Sequence, residues 1–396
     1  MFGEEPLLFV LVALALGIAL GRLWSRLTEG RRGDRSRRNS SSIHYILGLD
    51  YLASRQIDRA VSELTHAARE NTEATDVFLI LGNLLREKGQ IERAIQIHQS
   101  LLHRPGLSKS ERAHALLCLG MDFKRAGFRN RAMDTFEEVV RLEPKNAYAL
   151  HHLMKIHEEE QDWEKARAAQ DELSRVTGAS DATLEAFHLD QMGLAASRSG
   201  DPTAAVRAFE EATRLDRKLP PPYLHHGDLL AEQGKLEEAE ALWQRLAKES
   251  PSFAHLVFGR LERVRKKLGR EERMEKLYEQ VIRDDERDFR GRMALARLRR
   301  AQGRSEEAFE LLLEAVARNP HALGVHIEAW NALASEAGEA SSRIARYLEE
   351  VSGSVLFVDP YICIKCSYRA NGILWRCPHC QEWNCFIEER LEAAER

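Results

Sequence analysis

The amino-acid sequence predicts an all-α chain: a solenoid of antiparallel helix pairs, with a membrane-spanning helix ahead of it and a small four-cysteine metal unit behind it. Three observations predict this. A pattern of small and large residues recurs with a 34-residue step through the middle of the chain. An uncharged apolar run precedes the pattern, and five of the six cysteines fall together after it. The composition agrees. Of 396 residues, 30% are charged and only 7% aromatic, a balance that fits surface-exposed helices. The net charge of −4 argues against a protein that coats nucleic acid through a global positive field. Six cysteines in a chain of this length are too few for a disulfide framework.

Residues 1–24 are expected to form the anchor. Pro6 to Gly21 carries no charge. Counting on to Trp24, with Arg22 reaching back to the interface, gives the ~20 residues that a bilayer core requires. A secretory signal would place its positive charge before the apolar core. Here Glu4 and Glu5 come first, and seven arginines from Arg22 to Arg38 follow, for a net +5 with Glu29 and Asp34. The positive-inside rule therefore predicts that everything after Trp24 lies on the cytoplasmic side. Ala13, Gly17 and Gly21 form a small-residue ladder on one face, suited to close helix approach and a possible homodimer. Residues 25–42 read as a basic, flexible linker. Beyond residue 38 the chain is mildly acidic, at −7, so no nucleic-acid partner is expected from charge.

The repeat pattern occupies residues 43–350. A small residue is followed twelve positions later by alanine, and four later again by a large apolar residue: Gly48, Ala60, Leu64; Gly120, Ala132, Phe136; Gly193, Ala205, Phe209; Gly227, Ala239, Trp243; Ala296, Ala308, Leu312. Gly82 pairs with Ala94, and Met154 with Ala166 is a degenerate copy. Pro144, Pro251 and Pro320 close three of the units. The small residues mark places where two helices cross closely, and the large one fills the gap. This pattern resembles the tetratricopeptide repeat. Seven or eight repeats are expected over 43–320, with closing helices over 323–350. Segment 255–285 keeps the helical period but lacks the small anchors. Such solenoids present a concave face to partner proteins. First-helix residues expected to line it are Tyr45, Leu49, Leu79, Asn83, Arg86, Leu117, Lys124, His151, Lys155 and Asp190.

The metal unit is expected over 355–388. Cys363-x-x-Cys366 and Cys377-x-x-Cys380 are separated by ten residues. Each pair sits on a tight turn, so both thiolates reach one ion, and two turns complete a tetrahedral site. One zinc or iron ion fits four thiolates equally well. Val355–Val358 and Ile373–Trp375 have the composition of short strands. Cys385 reads as a spare thiol, and Cys118 as a small packing residue on a repeat helix. Four thiolates close the coordination sphere, which disfavours a catalytic metal.

No catalytic residues are identified. Gly234-Lys235 is followed by Leu236 and lacks the phosphate-loop spacing, and neither HExxH nor GxSxG occurs. The histidine-dense spots, His151-His152 with His157 and His225-His226, read as groove or surface positions. The runner-up readings are a redox protein cycling iron and a nucleic-acid-binding knuckle using Lys365, Arg369, Trp375, Arg376 and Trp383.

An anchor with a basic inner flank, a tetratricopeptide solenoid and a knuckle pair, in this order and size, resemble the lipopolysaccharide assembly protein B family. The specific part is Tyr361-x-Cys363-x-x-Cys366 with Trp375-x-Cys377-Pro378-x-Cys380 and Trp383. The resemblance implies a rubredoxin-like metal domain in which Cys363, Cys366, Cys377 and Cys380 bind iron or zinc. It also implies a non-enzymatic adaptor at the bacterial inner membrane. Such an adaptor acts with the FtsH protease on the deacetylase that commits precursors to lipid A, and gathers lipopolysaccharide synthesis and transport proteins. Ser367 and Gln381 depart from the glycine often found after the second cysteine of such a knuckle. A positive φ is expected there, which glycine adopts most easily.

Overall fold

The computed structural model describes residues 43–334, apart from 287, 320 and 321, and residues 361–388. The expected anchor (1–24), the basic linker (25–42), Pro320, the later part of the closing helices and Val355–Val358 lie outside the described residues. Among the described residues no helix is long and apolar enough to cross a membrane.

Eight helix pairs follow one another. They are α1 (Ile43–Ala53) with α2 (Ile57–Glu70), α3 (Thr75–Glu87) with α4 (Ile91–Leu102), α5 (Lys109–Arg125) with α6 (Arg129–Leu142), and α7 (Ala147–Glu159) with α8 (Trp163–Thr177). Then come α9 (Ala182–Arg198) with α10 (Pro202–Leu215), α11 (Pro220–Glu232) with α12 (Leu236–Glu249), α13 (Phe258–Leu268) with α14 (Arg273–Asp284), and α15 (Phe289–Ala301) with α16 (Ser305–Arg318). A last helix, α17, spans Leu323–Ala334. Local chemistry fixes the helix ends. Ser108 and Glu111 form a reciprocal capping box at the start of α5. Asp201 caps α10 and Pro202 opens it. Gly200, at φ +82°, makes the tight turn between α9 and α10.

The spaced small residues do what their size allows. A Cβ on Gly120 would sit 2.7 Å from Phe136 Cε1, so only glycine lets α5 and α6 cross there. Gly193 stands in the same way against Phe209, and Gly227 against Trp243. The alanines of the pattern, Ala60, Ala94, Ala132, Ala205, Ala239 and Ala308, are all fully buried. Within each run of pairs one face is buried against the next, as in the clusters around Leu64 and Leu101 and around Tyr223 and Tyr278, so stacking holds these helices.

The chain divides into two compact units, residues 1–156 and 157–396. In the first, the large position of the second repeat is His98, set against Gly82. Its Nδ1 lies 2.5 Å from Asp122 Oδ2, and Arg86 Nη1 donates to Asp122 Oδ1 at 2.8 Å. Both His98 and Asp122 are fully buried. Burial opposes charging of His98, yet its hydrogen bonds to Asp122 and Cys118 raise it to a pKa of about 9. Cys118 is buried among packing residues, as expected.

Three residues expected in the groove are instead buried: Leu79, Lys155 and Asp190. Leu79 belongs to an apolar cluster with Leu64 and Leu101. In the second unit, Asp190 lies 2.8 Å from His225 Nδ1, and burial pushes its carboxyl group upward. First helices stand beside one another in the stack, so their flanking positions are covered by neighbours.

The second unit also resolves the irregular repeat. A 3₁₀ segment, Pro251–Val257, precedes α13. Glu262, Met274 and Tyr278 hold the positions that carry glycine, alanine and a large apolar residue elsewhere. The Tyr278 hydroxyl donates to Glu262. A carboxylate and a methionine replace the two small anchors.

After the solenoid, three short strands, β1 (Tyr361–Cys363), β2 (Arg369–Ala370) and β3 (Phe386–Glu388), form an antiparallel sheet in the order β2-β1-β3. Tyr361 pairs with Ala370 on one side and Glu388 on the other. Ile373–Trp375, expected as a strand, is not one. The chain there makes only an isolated bridge, Arg376 with Trp383, because Trp375 and Trp383 pack outward against the helices.

Candidate metal centre

Two turns with the same hydrogen bonding build the centre. In the first, Ser367 N–H donates to Cys363 O and Cys363 N–H to Tyr368 O, each at 2.8 Å. In the second, Gln381 N–H donates to Cys377 O at 2.9 Å and Cys377 N–H to Glu382 O at 2.8 Å. This tight return is what aims both sulfurs of a Cys-x-x-Cys pair the same way. It requires a left-handed residue after each second cysteine, and Ser367 and Gln381 sit at φ +61° and +62°. The expected departure from glycine is thus a side-chain-bearing residue held in a glycine conformation.

The thiols converge. Cys363 Sγ lies 3.7 Å from Cys380 Sγ, and Cys366 Sγ 3.6 Å from Cys377 Sγ. A tetrahedral ion with metal–sulfur bonds of about 2.3 Å would set its sulfurs about 3.8 Å apart. The donor set and its spacing therefore fit a tetrahedral thiolate-bound ion. The sulfurs of Cys363, Cys377, Cys380 and Cys385 all lie within 4.8 Å of one another. Five thiols thus share the cluster, and Cys385, read as a spare thiol, is buried inside it, 3.4 Å from Cys363 Sγ. Burial would raise the Cys363 thiol, but the backbone N–H groups of Lys365 and Cys366 help to hold it down to about 6. Burial and neighbouring thiols push Cys366 up to about 12. Thiols this close repel as anions, and a cation is what lets them ionise together.

The centre does not stand alone. Arg376, one residue ahead of Cys377, donates from Nη2 to Glu158 Oε2 at 3.0 Å and from Nη1 to Glu158 O at 3.2 Å. Glu158 is fully buried and its other oxygen lies 2.9 Å from His188 Nε2. The Trp383 ring lies 4.8 Å from Phe187 and 6.2 Å from Trp163, and Trp375 lies 5.7 Å from Phe253. At the other end of the sheet, Arg290 donates to Glu388 at 2.8 Å and to Tyr361 at 3.2 Å. The runner-up nucleic-acid reading would put Trp375, Arg376 and Trp383 on a free basic-aromatic patch. They are the contact with the repeats, and no local signal marks Glu158, His188 or Arg290 as their partners.

Fold and site together define a tetratricopeptide-repeat scaffold that carries a rubredoxin-type metal domain. Family comparison reads the same two parts. A rubredoxin metal-binding domain matches residues 361–388, and a tetratricopeptide-repeat family matches residues 45–106, 191–252 and 267–322. The chain is 26% identical to lipopolysaccharide assembly protein B of Escherichia coli (strain K12) over 382 residues, 96% of each chain. It is 26% identical to the protein of that name from Haemophilus influenzae over 398 residues, 95% of this chain and 96% of that one. Among solved structures it is similar to MamA, at 18% identity and a TM-score of 0.36, over 45% of this chain and 92% of that one. Over nearly its whole length the chain is similar to proteins named lipopolysaccharide assembly protein B, and its tetratricopeptide repeats are those of a non-enzymatic adaptor.

Proposed function

We propose that the chain is a membrane-anchored adaptor that regulates lipopolysaccharide biosynthesis from the cytoplasmic face of the bacterial inner membrane. In this reading it acts with the FtsH protease on the committing lipid A deacetylase and gathers assembly components. Residues 1–24 anchor it and residues 25–42 tether the solenoid. The observation that carries the reading is whole-length similarity to lipopolysaccharide assembly protein B, in a chain whose metal domain is keyed into its own repeats. A scaffold of this kind needs a rigid groove more than a reactive centre. Crosslinking in native membranes, followed by identification of the adducts, tests it. Recovery of the protease or of lipopolysaccharide-pathway proteins is expected, and their absence overturns the reading. Deleting residues 1–24 is expected to release the chain from membranes with reduced function.

The proposed ligands of one zinc or iron ion are Cys363, Cys366, Cys377 and Cys380, two from each turn. Cys385 lies outside both turns, and its thiol donates to Glu382 O at 3.2 Å. The ion's part is to hold the domain's core together, since a unit this small buries too little apolar surface. Metal analysis of single Cys→Ser variants separates the two sets. Loss of the ion from Cys366→Ser and its retention in Cys385→Ser support this assignment, and the reverse overturns it.

A further inference from the structure

The thiol cluster holds one sulfur more than a tetrahedral ion needs. Cys385 stands outside both Cys-x-x-Cys turns, immediately ahead of β3. Its carbonyl accepts from Ile364 N–H at 2.8 Å, which continues the β1–β3 ladder and fixes the backbone that carries the thiol. The sulfur lies 3.4 Å from Cys363 Sγ and within 4.8 Å of the sulfurs of Cys377 and Cys380. Any small residue would serve for packing here, whereas a thiol brings a redox-active atom against the proposed ligands. Access to the cluster is uneven. Cys363, Cys377 and Cys385 are buried, while Cys366 and Cys380 are partly exposed. Of these two, it is Cys380 whose sulfur shares with Cys385 a set lying within 4.8 Å. Pro378 and His379, just ahead of Cys380, are exposed, so solvent reaches the second turn.

A small oxidant meets the sulfur that solvent reaches first. A sulfenic acid formed there has two fates. Further oxidation to sulfinic acid is irreversible, and condensation with a nearby thiol is reversible. The other sulfurs of the two turns are proposed ligands and would have to leave the ion before attacking. Cys385 is not a proposed ligand, so its sulfur is available at once.

We propose that Cys385 is the resolving thiol of a hydroperoxide-sensitive site, closing a disulfide with Cys380 when that ligand is oxidised. The Cys380 thiolate attacks the hydroperoxide, the O–O bond breaks, and the sulfur keeps one oxygen as a sulfenic acid. The other oxygen leaves as water or an alcohol, with a proton from solvent. The Cys385 sulfur then displaces the hydroxyl: the S–S bond forms, the S–O bond breaks, and the hydroxyl leaves as water with the Cys385 proton. The hydroperoxide gains the electron pair that the two cysteines lose. One proposed ligand is thereby withdrawn, so the domain lets its ion go, and a thiol reductant returns both cysteines to the starting state. The proposal rests on the ligand assignment above and makes the same centre a reversible sensor.

The test uses the full, zinc-loaded chain, treated with hydrogen peroxide beside a chromogenic zinc chelator. Zinc release is expected, together with a Cys380–Cys385 disulfide found by peptide mapping. Dithiothreitol and fresh zinc should reverse both. Cys385→Ser is expected to hold zinc before peroxide, to release it roughly fivefold more slowly, and to accumulate sulfinic acid at Cys380. Equally fast release from Cys385→Ser, or a disulfide joining only the proposed ligands, overturns the proposal and leaves the ligand assignment standing. Failure of Cys385→Ser to hold zinc before any peroxide would make Cys385 a ligand and overturn both.

Discussion

Arg376 and Glu158 are 218 residues apart, yet the guanidinium meets both the carboxylate and the backbone carbonyl of Glu158. The carboxylate is fully buried, while the arginine keeps an edge at the surface. The metal domain is thus keyed to the solenoid through a buried carboxylate.

Replacing Arg376 with alanine removes one charged partner of the buried Glu158 carboxylate. Losing a charge-assisted bond to a buried group costs about 2 to 3 kcal/mol. Arg376→Ala is expected to loosen the domain and expose Trp375 and Trp383 to solvent. Tryptophan emission should shift to the red while the metal content is unchanged. Unchanged emission would mean that the rings alone hold the domain.

The pH profile of stability should have two limbs. His98, raised to about 9, contributes stability that is fully present below its unfolded pKa of about 6.5 and is lost as pH rises through 9. His152 and His255 are pushed by burial to about 4 and about 3, so they must take up protons to unfold. Their contribution is intact above about 6.5 and falls away as pH drops toward those values. Denaturant midpoints measured from pH 4 to 10 should show both limbs. His98→Leu should flatten the alkaline limb and leave the acid one.

Two glycines of the solenoid should respond oppositely to alanine. At Gly120 the new methyl meets the Phe136 ring at 2.7 Å, and the overpacking should cost about 1 to 3 kcal/mol. At Gly259 it meets open space, and the helix should gain up to about 1 kcal/mol. Thermal unfolding of the two variants checks both signs.

Ser367 and Gln381 hold left-handed backbone that glycine would hold without a Cβ penalty. Ser367→Gly and Gln381→Gly should each stabilise the metal-loaded domain by about 0.5 to 1 kcal/mol. Slower metal release to a chelator is the expected readout, and faster release would show that the side chains themselves support the turns.

The regular repeats were legible because close helix crossing admits only small residues at fixed spacing, and Gly120, Ala132 and Phe136 record that requirement directly. The irregular repeat was legible as helical but not in register. Glu262 in a glycine's place becomes intelligible only through its bond to Tyr278. Asp190 read as a groove residue, since its polarity is visible in sequence and its burial beside His225 is not.

The cysteine spacing alone determined that two tight turns bring their thiols together, since such turns leave the sulfurs little choice of direction. The small-residue period alone determined a solenoid. Both are local constraints, written within a few turns of chain. Only the tertiary structure decided that Trp375, Arg376 and Trp383 face inward and that Cys385 joins the thiol cluster. Each of those depends on residues far away in sequence, brought together by stacking, and a partner's position leaves no periodic trace in the chain it meets.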